Sequence, residues 1–243
     1  MRLHRFFIEE QIGNKTELKI HSAELANQIR RVFRLKTGDS VVVFDGSGFD
    51  YECRIGASSA GEVKSVKNLV TLDVVTTMKS RYMPTRDIYL CAGIVKKDTF
   101  EWIAEKATEL GVTHIIPVMA ERSEKKALNM GRLEKIAIEA SEQSGRGNVP
   151  VVESIVGLKE VIERFSQLKC VKIAFHTDAE PFNPQDVHRD IPVAVFIGPE
   201  GGWSMDEIDL FHKNQVSVVC LGQQVLRAET AVIAALSEVV FHQ

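Results

Sequence analysis

With 243 residues, 44% of them hydrophobic, the chain is long enough to bury one large core or two modest ones. A formal net charge of −3 excludes a protein that coats nucleic acid by bulk electrostatics, so any such contact must come from local basic patches. The four cysteines, Cys53, Cys91, Cys170 and Cys220, form no C-x-x-C pair, and neither a signal-peptide run nor a membrane-length apolar stretch occurs; a cytoplasmic protein with no metal and no membrane partner is expected.

Residues 22–33 carry Leu25, Ile29, Val32 and Phe33 at helical spacing, with Arg30, Arg31 and Arg34 on or near the other side, which predicts one short amphipathic helix. The apolar run 41–44, the turn formers Asp45-Gly46-Ser47-Gly48 and the run 49–55 predict a β-hairpin. Strands are also expected over 62–66 and 69–75. Residues 1–75 therefore read as a small β-rich module, and the polar stretch 76–86, which contains Pro84, as a linker.

From 87 to 243 strands and helices alternate. A buried strand is expected over 88–95, then a helix capped by Asp98 and ending at Gly111, a strand over 112–118, and helices around Leu133, Ile136, Ala137 and Ala140 and over 158–165. The β-branched runs 171–175, 193–197 and 216–221 complete a mainly parallel sheet covered on both faces, an α/β fold.

Two glycine loops carry the functional signal. Ile197-Gly198-Pro199-Glu200-Gly201-Gly202 leaves a strand and enters a helix capped by Ser204 and Glu207; it permits a ligand to approach bare backbone, although an ordinary tight turn has the same look. After the next strand comes Leu221-Gly222-Gln223-Gln224-Val225-Leu226-Arg227-Ala228-Glu229-Thr230. It lies where a neighbouring parallel strand would end, and ligands of open α/β sheets bind at carboxyl strand ends. Residues 232–241 predict a helix apolar on most faces. His176, after a core strand, either lines the pocket or is a hydrogen-bonded neighbour. Arg30, Arg31, Arg34 and Lys36, with Arg2 and Arg5, form either an RNA-contacting patch or a solvated face; Lys96, Lys97, Arg122 and Arg146 are further candidates for RNA contact.

Together these loops resemble those of SPOUT-class methyltransferases, and G-P-E-G-G followed by L-G-x-x-V-L-R-x-E-T-A is similar to the RsmE family. Lys96-Lys97-Asp98, Glu121-Arg122-Ser123, the segment from Glu139 to Arg146 and the N-terminal Arg5-Phe6-Phe7 extend the likeness over nearly the whole chain. Gln224 departs from it, since arginine is common there.

The resemblance implies a PUA-like RNA-binding module before a trefoil-knotted α/β domain that dimerises and binds S-adenosylmethionine. It also implies methylation of N3 of a U1498-type uridine in 16S ribosomal RNA, met within the assembled small ribosomal subunit. On this reading His176, Ile197, Gly198, Pro199, Glu200, Gly201, Gly202, Leu221, Gly222, Val225, Leu226, Arg227, Glu229 and Thr230 hold the cofactor. Glu200 and Glu229 are candidate bases for the N3 proton, and Arg227 is the candidate to stabilise the uracil anion. Methylation of a ribose hydroxyl or of transfer RNA, and a non-catalytic role in RNA binding, are the alternatives.

Overall fold

The computed structural model describes residues 3–57, 68–123, 127–188 and 190–241. The expected strand over 62–66 and the candidate Arg2 lie outside the described residues. The chain divides into two compact units, one of Met1–Met83 with Ser141–Asn148, the other of Pro84–Ala140 with Val149–Gln243.

The first unit contains β1 (Arg5–Phe7), β2 (Glu17–His21), α1 (Ala23–Asn27), β3 (Ser40–Phe44), β4 (Phe49–Ile55) and β5 (Leu69–Lys79). They form a five-stranded sheet in the order β1-β3-β4-β5-β2, antiparallel except where β1 pairs with β3. The β3–β4 hairpin turns as expected through Gly46 and Gly48, both at positive φ. Phe6, Ile29, Val41, Val43, Cys53, Val70 and Leu72 fill the core.

Two expectations for this unit need correction. β5 runs to Lys79 and pairs with β4 as far as Phe49, so residues 76–79 are strand and not linker. Thr76, Thr77, Met78 and Lys79 are all exposed, so the stretch lacks the apolar alternation that marks a half-buried strand. The helix opens on Ser22, whose hydroxyl accepts from the Leu25 amide, but continues from Gln28 to Val32 as a π-helical turn. The wider turn breaks the 3.6-residue phase. Leu25 and Ile29 stay buried, whereas Val32 is 60% exposed and Phe33 38%, the latter against the ring of His4.

The second unit is built on β6 (Ile88–Gly93), β7 (His114–Met119), β8 (Val151–Val152), β9 (Val156–Gly157), β10 (Val171–Pro181), β11 (Val193–Ile197) and β12 (Ser217–Cys220). Its sheet runs β12-β10-β11-β6-β7-β8, with β9 also on β7, and every pairing is parallel. The helices are α2 (Lys97–Glu109), α3 (Met130–Ser144, of which the residues up to Ala140 belong to this unit), α4 (Leu158–Ser166), α5 (Met205–Lys213) and α6 (Ala228–Phe241). Separate apolar clusters form on the two faces, one including Leu90, Phe100 and Leu236, the other Ile116, Phe165 and Phe211. The α/β class read from the apolar runs is the one found. Asp98, however, is not the cap of α2: Lys96 takes that position, and no side chain among the described residues caps it. Among the described residues no helix is long and apolar enough to cross a membrane.

A polar cluster links β7, the segment after β8 and α4. Arg164 grips the Glu153 carboxylate through both guanidinium ends, one bond at 2.9 Å, and His114 Nδ1 lies 3.0 Å from Glu153 Oε1. Burial alone would raise the Glu153 pKa, but the Arg164 bonds and charge, with His114, outweigh it and hold the carboxyl below its usual range. A depressed carboxyl adds stability above its unfolded pKa and loses it as pH falls through the folded one. Arg164 is 42% exposed and solvent-screened, so Arg164→Leu is expected to lose only about 0.5–1 kcal/mol at pH 7. That difference should shrink from roughly pH 5 downward. Denaturant titrations of both proteins at pH 7 and pH 4 check it, and a constant difference would show that the pair is not its source.

Candidate cofactor cleft

A cavity of about 330 Å³ lies at the carboxyl ends of β10, β11 and β12, wholly within the second unit. That is where an open parallel sheet presents loops able to enclose a ligand.

The loop after β11 supplies one wall. Gly202 donates to the Pro199 carbonyl at 2.8 Å and holds φ +66°, a conformation that side-chain-bearing residues seldom adopt. Ser204 then opens α5 with a reciprocal cap: its hydroxyl accepts from the Glu207 amide at 3.3 Å, while Glu207 Oε2 accepts from the Ser204 amide at 2.8 Å. The capping expected of Ser204 and Glu207 is therefore present. Trp203, 2% exposed, lines the cavity, and its Nε1 has no hydrogen-bond partner among the described residues.

The second wall comes from the loop after β12, with Leu221, Gly222, Gln224, Val225 and Leu226, and from Ala228 and Ala231 on α6. Val225 is 84% exposed at the rim of this wall. The third wall was legible in the sequence only at His176. Phe175 and Glu180 both pair with Val219 on β12, so residues 176–179 are extra to the ladder and bulge from it, bringing His176, Thr177 and Asp178 to the cavity.

The structure thus gathers His176, Ile197, Gly198, Pro199, Glu200, Gly201, Gly202, Leu221, Gly222, Val225 and Leu226 around one cavity. It does not bring Arg227, Glu229 or Thr230 to its wall. Because α6 begins at Ala228, helical spacing turns Ala228 and Ala231 inward; Arg227 and Thr230 are exposed, and Glu229 is half-buried in the first turn.

The candidate RNA contacts also divide. Arg5 is ion-paired with Asp50 and donates to the Arg146 carbonyl at 3.0 Å. Arg146 is 4% exposed, its pKa pushed down to about 10 by burial, and its Nε donates to Asn148 at 3.2 Å. Arg30 donates to the Leu69 carbonyl at 2.8 Å. Arg5 and Arg146 thus hold the fold together and are corrected as surface contacts, since a sequence shows a cation but not the acceptor that claims it, while Arg30 stays half-buried with one guanidinium nitrogen on that carbonyl. Arg31, Arg34, Lys36, Lys96 and Lys97 are exposed, Lys97 within 3.6 Å of Glu101. Arg122 lies on the cavity itself, its Nη1 donating to the Gly201 carbonyl at 2.9 Å.

Sequence reasoning missed Gly93, the last residue of β6. A Cβ there would stand 2.6 Å from both Pro199 N and Pro199 Cδ, and 3.0 Å from the Gly198 carbonyl carbon. The available signal was a glycine inside an otherwise apolar strand, which often marks a close backbone approach.

Two glycine loops and a bulged strand around one cavity at parallel strand ends define an α/β protein with a small-molecule site walled mainly by backbone and apolar groups. The model of an RNA methyltransferase domain matches residues 82–240, and that of an RNA methyltransferase PUA domain matches residues 26–67. The chain is 31% identical to ribosomal RNA small subunit methyltransferase E of Bacillus subtilis, over 98% of this chain and 96% of that one. It is 27% identical to the protein of the same name from Rickettsia conorii, with the same coverage. Among solved structures, ribosomal RNA small subunit methyltransferase E from Neisseria gonorrhoeae bound to S-adenosyl methionine superposes with a TM-score of 0.86 at 26% identity, covering 97% of this chain and 96% of that one. The chain belongs to the RNA methyltransferase family, in the group of ribosomal RNA small subunit methyltransferase E, and its first unit includes the PUA-type segment of that family.

Proposed function

We propose that the chain methylates N3 of a U1498-type uridine in 16S ribosomal RNA, taking the methyl group from S-adenosylmethionine held in the cleft. The observation that carries the reading is the cavity between the loops after β11 and β12, in a chain whose relatives over its full length are small-subunit RNA methyltransferases.

The residues present fit the cofactor. Ile197, Leu221 and Leu226 offer apolar surface for a purine, and an added Cβ at Gly202 would stand in open space. The buried Trp203 Nε1, without a partner among the described residues, is a donor in need of an acceptor. S-adenosylmethionine, when bound, supplies an electrophilic methyl group. The chain must then remove the N3 proton, whose loss frees the attacking lone pair, and orient the uracil toward the methyl group. Glu200, the candidate base on the cavity wall and exposed, takes up that proton. The exposed Arg31, Arg34 and Lys36 supply phosphate contacts from the first unit. The active form is a homodimer in which α6 contributes to the interface, since Ile233, Ala234 and Val240 remain only half-buried and Phe241 is 66% exposed.

Small subunits from a strain lacking this modification, incubated with the protein and labelled S-adenosylmethionine and then digested to nucleosides, are expected to yield 3-methyluridine. Label in a ribose-methylated nucleoside, label only in transfer RNA, or no transfer would overturn the assignment. Light scattering on the purified protein alone is expected to give twice the chain mass of 27.1 kDa, and the single-chain mass would refute the dimer.

A further inference from the structure

We infer that Glu207 is a positioning residue that, by fastening two loops of the cleft together, sets Arg122 to receive the carboxylate of bound S-adenosylmethionine. The inference rests on the cofactor reading above. Glu207 does more than cap α5. Its side chain is buried within the second unit, and its two oxygens serve different segments: Oε2 accepts from the Ser204 amide at 2.8 Å, and Oε1 accepts from the Glu121 amide at 2.9 Å, 86 residues away along the chain.

Glu121 opens a turn after β7 in which the Ser123 hydroxyl accepts from the Ala120 amide at 3.2 Å. Between them Arg122 reaches across to the Gly201 carbonyl at 2.9 Å, and its Cβ lies 3.0 Å from where a Gly201 Cβ would be. The two loops are thus joined twice, once by a buried carboxylate and once by a guanidinium at the cavity. A guanidinium has five N–H donors, and the carbonyl of Gly201 engages one of its nitrogens; the fork still has donors to offer an anion. Arg122 is the one Lys or Arg among the described cavity-lining residues. The carboxylate is the one anionic group of S-adenosylmethionine, so the two are matched in charge.

Calorimetric titration of the full-length protein tests this with wild type, Arg122→Ala, Glu207→Gln and the double variant. In the amide variant an NH2 replaces one acceptor and faces an N–H donor, so one of the two loops must let go. Each single change is expected to weaken S-adenosylmethionine binding about tenfold, and the double variant to bind within twofold of Arg122→Ala, because Glu207 acts through Arg122. The decarboxylated analogue is expected to bind wild type and Arg122→Ala alike. Losses that multiply, a Glu207→Gln protein that binds within twofold of wild type, or an analogue that still distinguishes Arg122 from alanine would each overturn the inference. Should Glu207→Gln not fold, Glu207→Asp, which keeps the charge but cannot span both amides, replaces it. If neither folds, the carboxylate is needed for folding and the inference fails. No binding by the wild type would instead sink the cofactor reading.

Discussion

Gly93→Val is expected to reduce S-adenosylmethionine affinity by at least roughly tenfold, about 1.4 kcal/mol, and to destabilise the protein by about 1–3 kcal/mol. The bulk is added at the end of β6, where even one Cβ would stand 2.6 Å from Pro199 N and Cδ. Those atoms belong to a loop backbone and a ring, so no rotamer change relieves the collision. Either β6 gives way in a close-packed sheet, or the loop after β11 moves outward and takes Gly198, Pro199 and Glu200 from their places on the wall. Gly93→Ala should show the same direction with smaller size. Gly157→Ala is the control, because an added Cβ there has nothing within 4 Å and the backbone carries no positive φ. Calorimetry and thermal unfolding of the three variants decide it; equal cofactor affinity for Gly93→Val and wild type would show that this approach does not shape the site.

Why Gly93 escaped notice says what a sequence carries. Elements whose own residues encode their environment were legible: the uninterrupted apolar runs of β6 and β11, the Ser204–Glu207 cap, and the hairpin that turns at Gly46 and Gly48. The two glycine loops were legible for the same reason, since each announces itself locally. Features made by pairing distant segments were not. The bulge after Phe175 exists only as a register shift against β12, and the side of α6 that faces the cavity depends on where that helix starts. Arg122 read as an RNA contact because its acceptor, Gly201, lies 79 residues further on. The π-helical turn after Asn27 likewise leaves no mark in the spacing of apolar residues, which favoured a regular helix through Phe33.

The same blindness to partners made Arg5 look like a surface cation, and it leads to the second large effect. Asp50→Ala is expected to destabilise the first unit by about 3–5 kcal/mol, because removing one member of a buried ion pair strands the other charge. Asp50 is 8% exposed; its carboxylate pairs with Arg5, with a second bond at 3.2 Å, and accepts from the Ser80 hydroxyl at 2.6 Å. The Arg5 guanidinium also lies 4.8 Å from the centre of the Phe44 ring and donates to the Arg146 carbonyl, so no water-exposed position is available to it without disturbing that packing. Asp50→Asn, which keeps an acceptor and the shape, should lose less. Replacing both charges, Arg5→Met with Asp50→Leu, should recover part of the loss and not all of it, since the Arg146 carbonyl and the Ser80 hydroxyl would each forfeit a partner. The unfolding transition of this unit should fall by roughly 15 °C or more for Asp50→Ala. Cofactor affinity measured well below that transition should stay within twofold of wild type, because none of the cavity residues belongs to the first unit. A loss under about 1 kcal/mol, followed by circular dichroism in denaturant, would mean that the Arg5 charge is solvated and that the pair does not anchor the fold.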